Sequence, residues 1–182
     1  MNSIFGLMSQ GVWNQNRGSN LLDGGAHFYG TYETKDGKHV SLGSIEPQFY
    51  ALLLEKTGLD QDPDLAKQMS RDDWPMLREK LAAVMATKTR DEWDAIMLGT
   101  DICYAPILNF EEAVDHPHNQ ARQTFVKSAD ITQAAPAPRF SRTEPELPQP
   151  PVAPGQHTDE ILAGIGLDAT AIANLKDSGA VV

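Results

Sequence analysis

Seven of the twelve prolines in this chain fall between Pro136 and Pro154, and that crowding limits what the chain can fold into more than any other feature. Proline fixes φ and offers no N–H, so such a stretch takes extended conformations without internal hydrogen bonds. It is expected to run over a surface, dividing the chain into a globular body before it and a short helical tail after it.

The body is long enough for one core. The chain has 182 residues, 41% hydrophobic and 22% charged, a composition that fits neither disorder nor a membrane protein. Net charge is −10 and the fifteen Lys and Arg residues are dispersed, so the basic footprint of a nucleic-acid binder is missing and no nucleic-acid partner is expected. An anionic ligand would have to bind through a few local groups. The single cysteine, Cys103, excludes an intrachain disulfide and reads as a packed core thiol. With no export signal, membrane anchor or terminal address in view, the expected location is the cytoplasm, without membrane partners.

Residues 1–15 carry apolar side chains at helical spacing (Ile4, Phe5, Leu7, Met8, Val12), which reads as the end of a helix whose beginning is missing. A loop follows, then Leu21-Leu-Asp-Gly-Gly25, where paired glycines permit a tight turn or close approach of a ligand. Phe28–Thr34 and His39–Gly43 read as strands of a hairpin, because Asp36-Gly37 favours the positive φ angles of a tight turn. After Glu46 a helix is expected, with Pro47 in its first turn, Phe49, Leu52 and Leu53 on one face and Gly58 at its end.

Ser70-x-x-Asp73 and Thr89-x-x-Glu92 match the capping-box pattern and predict two helix starts. The first helix is expected to bury Trp74, Leu77, Leu81, Val84 and Met85, and the second Trp93, Ile96 and Met97 before Gly99. Tyr104–Leu108, interrupted by Pro106, reads as an edge strand or connector. Asn109 opens a short helix in which Glu112 is the capping-box acid, and Phe125–Lys127 is a weak strand candidate. Beyond the prolines, Thr158 and Asp168 open two short helices ending near Gly166 and Gly179. They have little to pack against locally and are expected to dock on another body.

Few residues suggest chemistry by themselves. None of the five histidines (His27, His39, His116, His118, His157) has metal-ligand spacing, and His116-Pro-His118 reads as a surface or helix-start pair. No metal is expected. Asp23, beside Gly24 and Gly25, is either a turn residue or a carboxylate with room for a substrate. Glu46, at a strand-to-helix corner, either complements the helix dipole or serves a site.

Longer runs carry a resemblance. Arg17-Gly-Ser-Asn-Leu-Leu-Asp23-Gly-Gly-Ala-His-Phe-Tyr29, Thr31-Tyr-Glu33 and Gly43-Ser-Ile-Glu-Pro-Gln-Phe-Tyr50 resemble a characteristic stretch of the α-methylacyl-CoA racemases. Met69-Ser-Arg-Asp-Asp-Trp-Pro75, Gly99-Thr-Asp-Ile-Cys103, Ala105-Pro-Ile-Leu108, Phe110-Glu-Glu112, Ala137-Pro-Arg-Phe-Ser141 and His157-Thr-Asp-Glu-Ile-Leu162 continue it. It extends over essentially the whole chain.

That family belongs to the class III CoA-transferase (CaiB/BaiF-like) superfamily. The resemblance implies an α+β class: residues 1–27 as a remnant helix and linker, 28–130 as a small α+β domain with a β-hairpin and several helices, and 131–182 as a Pro-rich arm with two C-terminal helices. The arm would pack on a Rossmann-like large domain expected to be missing here. The implied reaction interconverts (2R)- and (2S)-2-methylacyl-CoA by removing and returning the α-proton. No cofactor is implied, since coenzyme A is part of the substrate, and the implied partners are an acyl-CoA thioester and an N-terminal half or second subunit of an interlocked homodimer.

The family's bases are a histidine of a Gly-His-Asp-Ile-Asn-Tyr-type motif and an aspartate of a Leu-Ala-Asp motif, and neither motif occurs in this chain. Asp23 and His27 are not assigned to replace them. Glu46 matches the family's glutamate, a residue that orients the catalytic histidine and stabilises its charged form. Asp23, Gly24 and Gly25 are candidates for the substrate side of the small domain, and Arg17 for either the ligand mouth or a solvated loop. The alternatives are part of a class III CoA-transferase and an inactive truncated fragment or interaction remnant.

Overall fold

The computed structural model describes residues 2–128, 130–147 and 149–182. It is an α+β structure with two small antiparallel sheets and, among the described residues, eight helices. The chain divides into two compact units, Met1–Asn109 and Phe110–Val182.

The first unit opens with helix α1 (Asn2–Ser9), which buries none of its residues. Strands β1 (Tyr29–Glu33) and β2 (His39–Gly43) form the expected hairpin in the register Tyr29↔Gly43 to Glu33↔His39. Gly37 has φ 74°, the left-handed value this turn requires. Strand β3 (Tyr104–Ile107) pairs with β2, giving the order β1-β2-β3 and leaving Pro106 on an edge strand, where a missing N–H is tolerated.

One face of this sheet carries Tyr32, Val40 and Leu42 into the core. Against it pack helices α2 (Pro47–Thr57), α3 (Trp74–Met85) and α4 (Arg90–Met97). Phe28 sits at the centre, fully buried, with edge-on contacts to Tyr50 and Trp74 at ring-centre separations of 5.9 and 6.1 Å. Both core tryptophans satisfy their indole N–H: Trp74 donates to the Gln68 carbonyl at 2.8 Å and Trp93 to the Met85 carbonyl at 2.9 Å.

Several sequence expectations need correction here. The buried residues of α2 are Tyr50 and Leu53, while Phe49 and Leu52 are only partly covered. Helix α3 begins at Trp74 rather than after Ser70, and Asp73 makes no side-chain cap. Pro75 explains the difference: it fits the first turn, but a start at Ser70 would put it in the helix interior, where its ring meets the carbonyl four residues back. Val84 and Ile96 are partly rather than fully buried. Cys103 is not a packed core thiol; it is exposed, at φ 61° in the bend leading into β3. The Thr89 capping box forms as expected, with Thr89 and Glu92 each satisfying a backbone N–H of the other.

The second unit contains α5 (Phe110–Asp115), α6 (Pro117–Ala121), strands β4 (Phe125–Ser128) and β5 (Ile131–Ala134) as an antiparallel pair, then α7 (Thr158–Gly164) and α8 (Ala169–Asp177). His116 caps α6 by accepting the His118 N–H at 3.3 Å, the helix-start role expected for that pair. Asp168 caps α8 through the Ala171 N–H. The described part of the Pro-rich stretch has neither helix nor strand and is largely exposed. Contrary to the expectation of little local packing, α7 and α8 pair with each other: Ile172 is buried and Lys176 meets Asp159 at 2.7 Å. No helix among the described residues is long and apolar enough to cross a membrane.

Candidate functional site

Glu46 occupies the corner where β2 turns into α2. It is the N-terminal flanking residue of the helix, at φ −70° and ψ 141°, and its carbonyl accepts the N–H groups of Phe49 and Tyr50, both at 3.0 Å. Its carboxylate makes no cap bond to that helix and is exposed. Glutamate is not among the residues that commonly cap a helix from this position, and its longer side chain is not drawn back onto the first turn. A negative charge at this end still complements the helix dipole. The group is therefore held by its backbone alone and remains available to an external donor.

That backbone is firmly held. Ser44, fully buried, receives its strand-end support from Phe28, whose carbonyl accepts the Ser44 N–H at 3.0 Å, while its hydroxyl donates to the Ile102 carbonyl. The Gln68 side-chain amide donates to the carbonyls of Ser44 and Ile45, at 3.1 and 2.9 Å. Sequence reasoning singled out neither Ser44 nor Gln68, and no sequence signal marks them, because their partners are backbone carbonyls distant in the chain.

Beside this corner, the sheet face opposite the core is open. Tyr29, Thr31, Ser41, Gly43, Cys103 and Ala105 line a shallow depression of about 420 Å³. Gly43 donates its N–H to the Cys103 carbonyl at 2.9 Å, so β2 and the Cys103 bend are joined directly. Partial burial pushes the Cys103 thiol pKa up, and the negative charges of Glu46 and Asp101 push it further in the same direction.

Asp23, Gly24 and Gly25 lie in a loop with different partners. One Asp23 oxygen accepts the N–H groups of Asn20 (2.7 Å) and Gly25 (3.3 Å); the other accepts the Asn20 side-chain amide (2.7 Å) and the Gly18 N–H (3.2 Å). Desolvation opposes ionisation of this carboxyl, but the bonds from Asn20, Gly25 and Gly18 outweigh it and hold the pKa below the usual carboxylate value. The Gly24 carbonyl accepts from Arg78, and Arg71 braces the loop through the carbonyls of Val12 and Ser19. The geometry gives Asp23 a loop-closing role, and no hydrogen bond joins it to Glu46. Arg17 is exposed in the same loop.

His27, left unassigned by the sequence reading, is a fully buried core residue. Its Nε2 lies 2.8 Å from the Tyr50 hydroxyl, and burial, with the nearby Arg78 charge, lowers its pKa to about 4. The ring is neutral at neutral pH and shut away from solvent, which suits packing and not proton transfer.

A single exposed carboxylate can orient and stabilise a cationic imidazole presented to it. It cannot by itself serve both faces of a planar carbon, which takes two groups on opposite sides.

Comparison with known proteins places these features. The sequence model of CoA-transferase family III matches residues 3–158. The chain is 47% identical to α-methylacyl-CoA racemase of Mus musculus over 168 residues, 91% of this chain and 44% of that protein. It is 46% identical to α-methylacyl-CoA racemase of Homo sapiens over the same length and shares. The chain thus spans less than half the length of these curated relatives. In fold it is similar to a CaiB/BaiF family protein from Brucella suis, with a TM-score of 0.72 and 17% identity over 90% of this chain and 44% of that one. Together, the match to the family's sequence model and the identity to the two racemases show that this chain belongs to CoA-transferase family III.

Proposed function

We propose that this chain contributes to an acyl-CoA racemase that interconverts (2R)- and (2S)-2-methylacyl-CoA. One base removes the proton from the carbon next to the thioester carbonyl, the electron pair moves into an enolate, and a second group returns a proton to the opposite face. Glu46 is the supporting acid: its carboxylate accepts a hydrogen bond from the catalytic histidine and stabilises the imidazolium formed when that histidine takes the proton. The histidine and aspartate bases come from sequence corresponding to the other part of the family's length. Residues 28–130 act as the small domain, and residues 131–182 pack on the Rossmann-like large domain. Coenzyme A enters as part of the substrate and no further cofactor takes part.

The observation that carries this reading is Glu46 itself. It stands in the run Ile45-Glu-Pro-Gln-Phe-Tyr50, which resembles the racemases more than the CoA-transferases, and its carboxylate is exposed and unbonded on a braced corner.

The test is α-proton exchange of a 2-methylacyl-CoA in deuterated buffer. Three samples are compared: this chain alone, this chain with the N-terminal portion of an α-methylacyl-CoA racemase, and that mixture carrying Glu46→Ala. Exchange in the mixture that falls with Glu46→Ala supports the reading; exchange unchanged by Glu46→Ala, or no exchange in any sample, refutes it.

A further inference from the structure

The Glu46 carboxylate has no bond of its own to fix its direction, so its aim depends on the backbone beneath it. Immediately before it lie two carbonyls, those of Ser44 and Ile45, at the point where β2 has ended and α2 has not begun. Neither is paired by the strand ladder β1-β2-β3, whose registers stop at Gly43. Backbone carbonyls at such a corner take a partner or leave the corner free to turn.

One side chain serves both. The Gln68 amide nitrogen lies 3.1 Å from the Ser44 oxygen and 2.9 Å from the Ile45 oxygen. Gln68 is half-buried, and its backbone carbonyl accepts the Trp74 indole N–H at 2.8 Å, with Trp74 buried in the core against Phe28. A continuous chain of contacts therefore runs from core to corner: Phe28, Trp74, Gln68, then the two peptides that carry Glu46. The buried Ser44 hydroxyl, bonded to Ile102, anchors the other side.

We infer that Gln68 is a positioning residue for Glu46: its amide holds the two peptides preceding Glu46 and so sets where that carboxylate points. This rests on the reading of Glu46 as the supporting acid. Without the amide, the carboxylate keeps its charge and its exposure, but the backbone from which it projects is no longer held in place.

The experiment uses the full chain mixed with the racemase N-terminal portion, comparing Gln68→Ala, Glu46→Ala and the double variant in the exchange assay. Gln68→Ala is expected to lower kcat about 10- to 100-fold, the size of effect that small misplacement of a reacting constellation produces, with KM kept within about twofold. The double variant is expected to be no slower than Glu46→Ala alone, because both changes remove the same contribution. If the two losses instead multiply, or if Gln68→Ala leaves kcat unchanged while Glu46→Ala lowers it, the positioning role is overturned although the role of Glu46 stands. If Glu46→Ala has no effect, the functional reading itself has failed.

Amide hydrogen exchange on the chain alone gives a readout independent of activity. The Phe49 and Tyr50 N–H groups donate to the Glu46 carbonyl, and their protection is expected to drop about tenfold or more in Gln68→Ala while that of Trp93 in α4 is unchanged. Equal protection at Phe49 and Tyr50 in the two proteins overturns the inference, and Gln68→Glu, which keeps the shape but loses the donor, must behave as Gln68→Ala.

Discussion

The His27 Nε2 lies 2.8 Å from the Tyr50 hydroxyl, and the same hydroxyl donates to the Leu65 carbonyl at 2.9 Å. A phenol has one proton to give. Since Leu65 takes it, His27 must be the donor, which fixes the Nε2–H tautomer and leaves Nδ1 as a bare acceptor, buried and without a hydrogen-bond partner. The Tyr32 hydroxyl donates to the His27 carbonyl and so offers nothing to the ring, and Arg78 is a nearby positive charge.

Protonation of this ring therefore has to occur in the core beside a cation. The His27 pKa falls from 6.5 to about 4 in the folded chain. Between those values the unfolded chain binds the extra proton and the folded chain does not, so stability is complete above the unfolded pKa and declines as pH falls from about 6.5 towards 4. The loss from this residue is expected to be about 3 kcal/mol. Urea unfolding at pH 7, 5.5 and 4 measures it. His27→Gln keeps an N–H donor for Tyr50 but does not titrate, and its stability is expected to fall less than that of the wild type by this amount. Parallel pH profiles for the two proteins would contradict the argument.

Gly25 and Gly24 look alike in sequence and differ in what surrounds them. A Cβ on Gly25 would lie 2.6 Å from the Ser19 carbonyl carbon and 2.8 Å from both the nitrogen and oxygen of Asn20, all backbone atoms. At Gly24 there is open space, and the constraint is a φ of +91°. Gly25→Ala must displace the loop that Asp23 closes, and is expected to destabilise the chain by about 1–3 kcal/mol, as overpacking does. Because the loop shifts as a unit, protease cleavage between residues 14 and 25 should rise in Gly25→Ala. Unchanged cleavage together with an unchanged melting temperature would show that the loop yields without cost.

How much of this was readable beforehand depends on where each signal came from. The Asp36-Gly37 turn and the Thr89 capping box were legible because the residues that cause them are adjacent in sequence. The Pro106 edge strand followed from a missing N–H. The start of α3 was misplaced because Ser70-x-x-Asp73 satisfies the local pattern while Pro75 overrides it. Cysteine as a residue type favours the interior, whereas the left-handed bend at Cys103 leaves no trace in the residues around it. Strand β5, Ile-Thr-Gln-Ala, lacks a clear alternation and was missed. At the site, Glu46 was legible through resemblance. Gln68, whose bonds reach back more than twenty residues to backbone carbonyls, was not.

Cys103 offers a way to sense the Glu46 charge without any substrate. Its thiol is held up first by partial burial and then by the negative charges of Glu46 and Asp101. The thiolate is the reactive form, so at a fixed pH below the thiol pKa its fraction, and hence the alkylation rate, is depressed. Glu46→Gln removes one of the two charges and keeps the side-chain shape. The alkylation rate with iodoacetamide at pH 8 is expected to rise, because the removed charge is one of those that hold the thiolate fraction down. Salt distinguishes charge from shape: the ratio of the two rates should shrink towards one in about 1 M salt, where the screening length is about 3 Å. Asp101→Asn provides the matched control and should raise the rate by the same mechanism. If Glu46→Gln alkylates at the wild-type rate at low salt while Asp101→Asn is faster, the Glu46 carboxylate points away from the Cys103 bend.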